Sequence, residues 1–224
     1  MDKFDGGGSF FKLDFTQRVR ELVKERGEPF NQCLEWCAGL GEIGRDLLKH
    51  NLIKKLMLLD INKTALDEGA KRWGRKNIRY RQSNNLSGLS KHEKFDLVVG
   101  NPPSYRNVNH NHPSYPLFKG DLRPFDDDWK LRKGFYKNIA KHMIAGGIVL
   151  VLEVELYKSK VFIVDTKEPW DDRPKPPVRE ITNMVEGGGL QIESCFFIRN
   201  VYGVDVFIME SKNRRGTDEN TART

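Results

Sequence analysis

A glycine-rich turn set between an apolar run and a helical pattern, Cys33-Leu-Glu-Trp-Cys-Ala-Gly-Leu-Gly-Glu-Ile-Gly44, limits what this chain can fold into more than any other feature. Gly39, Gly41 and Gly44 spell G-x-G-x-x-G, the spacing with which a buried strand turns sharply into a helix and leaves room above the turn for a ligand. Further strand-like runs follow near 55–60, 77–81 and 95–100, with helical patterns near 42–50 and 63–73 between the first three, the second capped by Asn62 or Thr64. That alternation closes into a parallel sheet through right-handed crossovers, with helices on both faces. A charged helix over 15–26 precedes it. Acidic Asp126–Asp128 opens a helix over 129–144, where Leu131, Phe135, Ile139 and Met143 recur every four residues, and Gly146-Gly147 ends it. Ile148–Glu153 reads as a fully buried strand. A last helix over 177–186 leads to an antiparallel hairpin, Leu190–Arg199 with Val204–Glu210, at the sheet edge.

Two carboxylates flank the glycine turn. Asp60 closes the run Leu56–Asp60, at the distance where an acidic residue meets a ribose diol, so a nicotinamide dinucleotide is one reading. Glu35, four residues before Gly39, argues against it, because an acid at that strand end repels a pyrophosphate and attracts an ammonium group. S-adenosylmethionine carries that ammonium, a ribose and no phosphate.

A second motif follows the run Lys94–Gly100. In Asn101-Pro102-Pro103-Ser104-Tyr105 the prolines fix φ near −65° and bias Asn101 toward an extended conformation. The turn is stiff and poor in donors, so the Asn101 side-chain oxygen and nearby carbonyls can accept both hydrogens of a planar NH2 group. Such preorganised oxygens suit the cation that develops when a nitrogen is alkylated. Alone, Asn-Pro-Pro is a polar turn.

Together these residues resemble class I S-adenosylmethionine-dependent methyltransferases of the branch with an Asn-Pro-Pro-aromatic motif, over roughly residues 13 to 210. The resemblance implies a Rossmann-like, mostly parallel seven-stranded sheet with an antiparallel last strand. It implies a cofactor site of Glu35, Cys37, Gly39, Gly41, Asp60, Ile61, Asn84, Asn85 and Asn101, with Ser83-Asn84-Asn85 as the adenine turn. It places catalysis on Asn101, Pro102, Pro103 and Tyr105. Asn84 stands where the family more often has Asp, and Ser104 where it has an aromatic residue, so stacking on the substrate passes to Tyr105. The stretch Leu117–Asp126, with Gly134–Ile139 and Gly146–Glu153, is similar to HemK-type protein-glutamine methyltransferases, which implies a protein substrate such as a translation factor.

Charge leaves the acceptor open. A net charge of +7 and a pI near 9.2 suit a nucleic acid as well, through the cluster Lys71, Arg72, Arg75, Lys76 and the strand residues Arg79 and Arg81. Adenine amino-methylation is the alternative, with the base unstacked on Tyr105 or Tyr115. A cofactor- or nucleic-acid-binding module without catalysis is a third reading. Three cysteines are too few and odd in number for a disulfide framework, and Cys33 and Cys37 are expected on one face as small core residues. Asn109-His-Asn-His112 has no evident third ligand, so no metal is expected. No run of 18 apolar residues is present and no signal peptide is evident, so one cytoplasmic domain over 13–210 is expected. Residues 1–12 and 211–224 are expected to be flexible, and 105–128 to form a substrate loop over the site.

Overall fold

The computed structural model describes residues 12–103, 126–154, 179–201 and 204–214. Seven strands form one sheet: β1 Phe30–Trp36, β2 Ile53–Asp60, β3 Ile78–Gln82, β4 Phe95–Gly100, β5 Met143–Val154, β6 Leu190–Val201 and β7 Val204–Asn213. The helices are α1 Lys12–Lys24, α2 Glu42–Lys49, α3 Lys63–Trp73, α4 Lys130–Ile139 and α5 Arg179–Gly187. Strand order is β3-β2-β1-β4-β5-β7-β6. The first five strands are parallel, β7 runs antiparallel to β5, and β6 pairs antiparallel with β7. This is the Rossmann-like α/β fold that the alternating pattern predicts.

Alternation along each strand sends neighbouring residues to opposite faces, and both faces are covered. Cys33, Leu56, Leu58, Leu97 and Val99 pack with α1 and α2 through Phe15, Val19, Leu22, Ile43 and Leu47, and with α3 through Leu66. Leu34, Trp36, Met57, Leu59 and Val98 pack with α4 and α5 through Phe135, Tyr136, Ile139, Ile181 and Val185. The Asn62 side chain caps α3 by accepting from the Ala65 N–H at 3.1 Å.

Three expectations are corrected. The helix predicted over 129–144 stops at Ile139, and after a short 3-10 turn the chain is already in β5 at Met143. Gly146-Gly147 therefore does not end a helix. It lies in a bulge where β4 advances two residues, from Phe95 to Leu97, while β5 advances five, from Met143 to Ile148. Gly146 takes φ 73° there, and Asn213 Nδ2 donates to the Ile144 carbonyl at 3.0 Å. Cys33 and Cys37 do not share a face: Cys37 has left the strand at φ 54° and packs with the α4–α5 layer, while Cys33 is in the other. Ser211–Asn213, expected in a flexible tail, continue β7, with Ser211 and Asn213 buried.

Candidate active site

The order of the sheet reverses between β1 and β4, and in open α/β sheets the crevice at such a reversal, outside the carboxyl ends of the strands, is where ligands bind. Both sequence motifs end there. Trp36, the last residue of β1, pairs with Gly100, the last of β4, so the glycine turn and the Asn101–Pro103 turn leave the sheet side by side.

The glycine turn is built by backbone that bends the wrong way for most side chains. Cys37, Gly39 and Gly41 have φ 54°, 54° and 81°, and Gly41 is the N-cap of α2. Above Gly39 a Cβ would meet nothing within 4 Å among the described residues, which leaves the space open there. Gly44 has no such room: its Cβ would lie 2.8 Å from Glu35 Oε2. That closeness comes from a hydrogen bond, the Gly44 N–H donating to Glu35 Oε2 at 2.7 Å. Glu35 is 1% exposed, so its carboxylate faces the N-terminal turn of α2 and acts on the crevice as a charge behind the turn.

Asp60 ties the turn from the other side. Its Oδ2 accepts from the Gly39 N–H and its Oδ1 from the Asn62 N–H, each at 2.8 Å. A carboxylate offers about four lone-pair positions, so two engaged N–H groups leave capacity for the hydroxyls of a diol. Beside it Ile61 is 64% exposed, a bare apolar side chain on the rim of the crevice. The Ser83 N–H donates to the Asp60 carbonyl at 2.9 Å and brings the turn after β3 alongside. Asn84 is exposed there. Asn85, at φ 57°, donates from Nδ2 to the Leu131 carbonyl at 2.8 Å, while its Oδ1 is buried without a partner among the described residues. That orphan oxygen is an acceptor of the kind an exocyclic amine satisfies. Donor set, open space and orphan acceptor together fit an S-adenosyl cofactor.

At the β4 turn Asn101 and Pro103 are half-buried and Pro102 is buried. Tyr105, Ser104, Tyr115 and the pair His110 and His112 lie outside the described residues. Cys37 is half-buried beside Asp60, and desolvation together with that carboxylate pushes its thiol well above the ordinary range. It stays protonated and is no nucleophile.

The sequence reading missed a buried ionic cluster behind the turn. Arg132, on the first turn of α4 and fully buried, donates from Nε to Glu153 Oε2 at 2.7 Å and from Nη1 to the Pro103 carbonyl. The Tyr136 hydroxyl donates to Glu153 Oε1 at 2.9 Å, and the Trp129 ring lies 4.6 Å from the guanidinium. Asp126 accepts from the Leu131 and Arg132 N–H groups at 2.8 and 3.1 Å and stands 3.4 Å from Arg132 Nη1. Desolvation opposes the Arg132 charge, but the carboxylates of Glu153 and Asp126 outweigh it. Burial pushes Glu153 above the usual carboxylate range although Arg132 draws it back. One signal was available: Glu153 closes an apolar strand just as Glu35 and Asp60 lie at or near the ends of theirs.

Residues 9–114, from before α1 to beyond the β4 turn, match the family described as methyltransferase small domain. The chain is a methyltransferase that uses S-adenosylmethionine. Among solved structures, the methyltransferase is similar in fold to an S-adenosylmethionine-dependent methyltransferase from Clostridium acetobutylicum, with TM-score 0.57 and 16% identity over 89% of this chain and 90% of that one. It is similar to a putative RNA methyltransferase from Pyrococcus horikoshii, with TM-score 0.59 and 14% identity over 90% and 83%. It is also similar to the N-methyltransferase NodS from Bradyrhizobium japonicum, with TM-score 0.56 and 14% identity over 90% and 98%, which has been crystallised with S-adenosylhomocysteine. No protein of curated function matches the sequence. Among the described residues no helix is long and apolar enough to cross a membrane.

Proposed function

We propose that this methyltransferase alkylates a planar NH2 nitrogen, and that its acceptor is the side-chain amide of a glutamine in a protein. The observation that carries the reading is the pairing of Trp36 with Gly100, which sets the Asn101–Pro103 turn next to the glycine turn across the β1–β4 crevice. In this reading Gly39 and Gly41 shape the floor under the cofactor, with Cys37 beside them. Asp60 takes its ribose, and Ile61, Asn84 and Asn85 take its adenine. The bound cofactor supplies an electrophilic methyl group on a sulfonium.

Asn101 Oδ1 and the Pro102 carbonyl accept the two hydrogens of the target NH2, which aims the nitrogen lone pair at that methyl. As the N–C bond forms and the S–C bond breaks, the nitrogen becomes cationic, and the same two oxygens stabilise it without reorienting. The nitrogen then sheds a proton to water. Orientation contributes several kcal/mol of such a barrier. Tyr105 covers the acceptor, and the protein works in the cytoplasm.

The test is transfer from labelled cofactor into separate protein and nucleic-acid fractions of a lysate, followed by amino-acid and nucleoside analysis. Asn101→Ala should cut single-turnover transfer by a hundredfold or more, on the order of the 2.7–4 kcal/mol of one preorganised polar contact, and leave S-adenosylhomocysteine affinity unchanged. Full turnover in that variant would defeat the mechanism.

A second reading, adenine amino-methylation, is favoured by the exposed basic residues Lys71, Arg72, Arg75 and Lys76 at the end of α3. Arg72 is paired with Glu68, and Arg79 and Arg81 with Glu93, so only part of that charge is available to phosphates. Label in methylated adenosine rather than in methylglutamine decides for it.

A further inference from the structure

We infer that Arg132 is a positioning residue for methyl transfer: from behind the crevice it fixes the Asn101–Pro103 turn through the Pro103 carbonyl. The inference rests on the turn being the acceptor site, as proposed above.

A turn made of two prolines has lost the usual means of being tied down. Neither Pro102 nor Pro103 has an N–H to donate, so at these two residues the backbone can accept hydrogen bonds only through its carbonyl oxygens. Arg132 Nη1 donates to one of them, that of Pro103. What holds the donor is itself rigid. The guanidinium is a planar fork whose Nε is fixed on Glu153 Oε2 at 2.7 Å, so Nη1 has no freedom to swing. Glu153 is in turn fixed by the Tyr136 hydroxyl at 2.9 Å, and it sits on β5, the strand paired with β4. Trp129 closes the lower face of the guanidinium. Arg132, Glu153 and Tyr136 are each fully buried.

Burying a cation with two carboxylates is a poor way to stabilise a fold, since apolar side chains of the same volume do as well or better. The arrangement makes sense as orientation. It links α4 and β5 to a carbonyl one residue from the oxygens that meet the substrate. Arg132 touches neither cofactor nor acceptor; it sets where Asn101 Oδ1 and the Pro102 carbonyl point. Its Nη2 is buried without a partner among the described residues.

The test uses the full chain carrying Arg132→Met together with Glu153→Gln. The pair of charges leaves together, Tyr136 keeps an acceptor, and Asp126 keeps its two backbone partners, so the double variant retains a cooperative thermal transition. Three readouts follow in the folded variant. Amide exchange at Gly100 and Asn101 should rise at least tenfold, while that of 33–41 stays as in the wild type. S-adenosylhomocysteine affinity by calorimetry should stay within threefold. Single-turnover transfer from labelled cofactor into the accepting lysate fraction should fall thirtyfold or more.

Wild-type exchange at Gly100 and Asn101 overturns the inference whatever turnover does, and so does full turnover. If the wild-type protein labels neither fraction, the acceptor reading fails, and exchange alone still decides whether Arg132 holds the turn. Should the double variant not fold, Arg132→Lys carries the same readouts, because one ammonium cannot span Glu153 and Pro103 together.

Discussion

Glu35 can be altered in two ways that separate its hold on α2 from any direct hold on the cofactor. Its carboxylate accepts the Gly44 N–H at 2.7 Å and is 1% exposed. A hydrogen bond to a charged group is worth about 1.5–3 kcal/mol. Glu35→Ala discards that bond and leaves a buried N–H unpaired at the start of α2. At roughly 2–4 °C per kcal/mol for a domain of this size, melting should fall by about 3–12 °C. Glu35→Gln keeps an acceptor of the same shape and removes the charge, so it loses about 1 kcal/mol of bond strength and regains part of that by burying no carboxylate. Its melting temperature should stay within about 4 °C of wild type. Because the carboxylate faces α2, Glu35→Gln should weaken S-adenosylhomocysteine binding by no more than about fivefold, the effect of one charge acting from behind the turn. A direct carboxylate–ammonium contact would instead cost 1.5–3 kcal/mol, roughly ten- to 150-fold. Differential scanning fluorimetry and isothermal calorimetry on both variants decide the matter. A Glu35→Gln protein that melts like wild type but binds more than about thirtyfold more weakly would refute this account of Glu35.

Asp60→Ala removes both the clamp on Gly39 and the proposed ribose acceptor, so S-adenosylhomocysteine affinity should fall by roughly ten- to a hundredfold; Asp60→Asn, which keeps one acceptor oxygen, should recover part of it in the same calorimetry. Glu93 holds Arg81 at 2.5 Å, Arg79 at 3.2 Å and the Ser90 N–H at 2.9 Å. Desolvation works to raise its pKa, but the Ser90 N–H and the Arg81 guanidinium prevail and lower it from its ordinary 4.5. A lowered carboxylate stabilises the fold above its unfolded pKa and stops doing so as pH falls through the folded one. The melting gap between wild type and Glu93→Gln should therefore be widest near neutrality and close below pH 4.5; a gap that widens on acidification contradicts the assignment.

The layout of the sheet was legible because it rests on local periodicity. Buried parallel strands show as apolar runs, and the turns between them carry Gly39, Gly41 and Asn62 where the backbone demands them. The convergence of Glu35, Asp60 and Asn101 on one sheet edge follows from that topology. Two kinds of feature were not legible. The Gly146-Gly147 pair reads as a helix stop in any local scheme, yet β5 continues through it as a bulge that Asn213 closes from the far end of the chain. Likewise nothing local pairs Arg132 with Glu153, 21 positions away, until α4 is laid against β5. Glu35 was expected to face a ligand because it ends a strand. The hydrogen bond it accepts from the Gly44 N–H becomes visible only once α2 folds back over β1.

The place of β7 in the sheet has a consequence for how the enzyme is made. A ribosome releases β5 well before β7, and β6 emerges between them although it ends outermost. Until then the backbone edge of β5 is bare, with Val149, Leu150, Val151 and Leu152 available to whatever strand arrives first. The β6–β7 hairpin must form and dock by its second arm, bringing Phe207 opposite Glu153. Only then is the carboxylate that steadies Arg132 fixed in its strand. During synthesis the strands that carry the glycine turn and the Asn101–Pro103 turn are therefore complete before Glu153 is fixed, and the hold on the Pro103 carbonyl arrives with the final strand to pair.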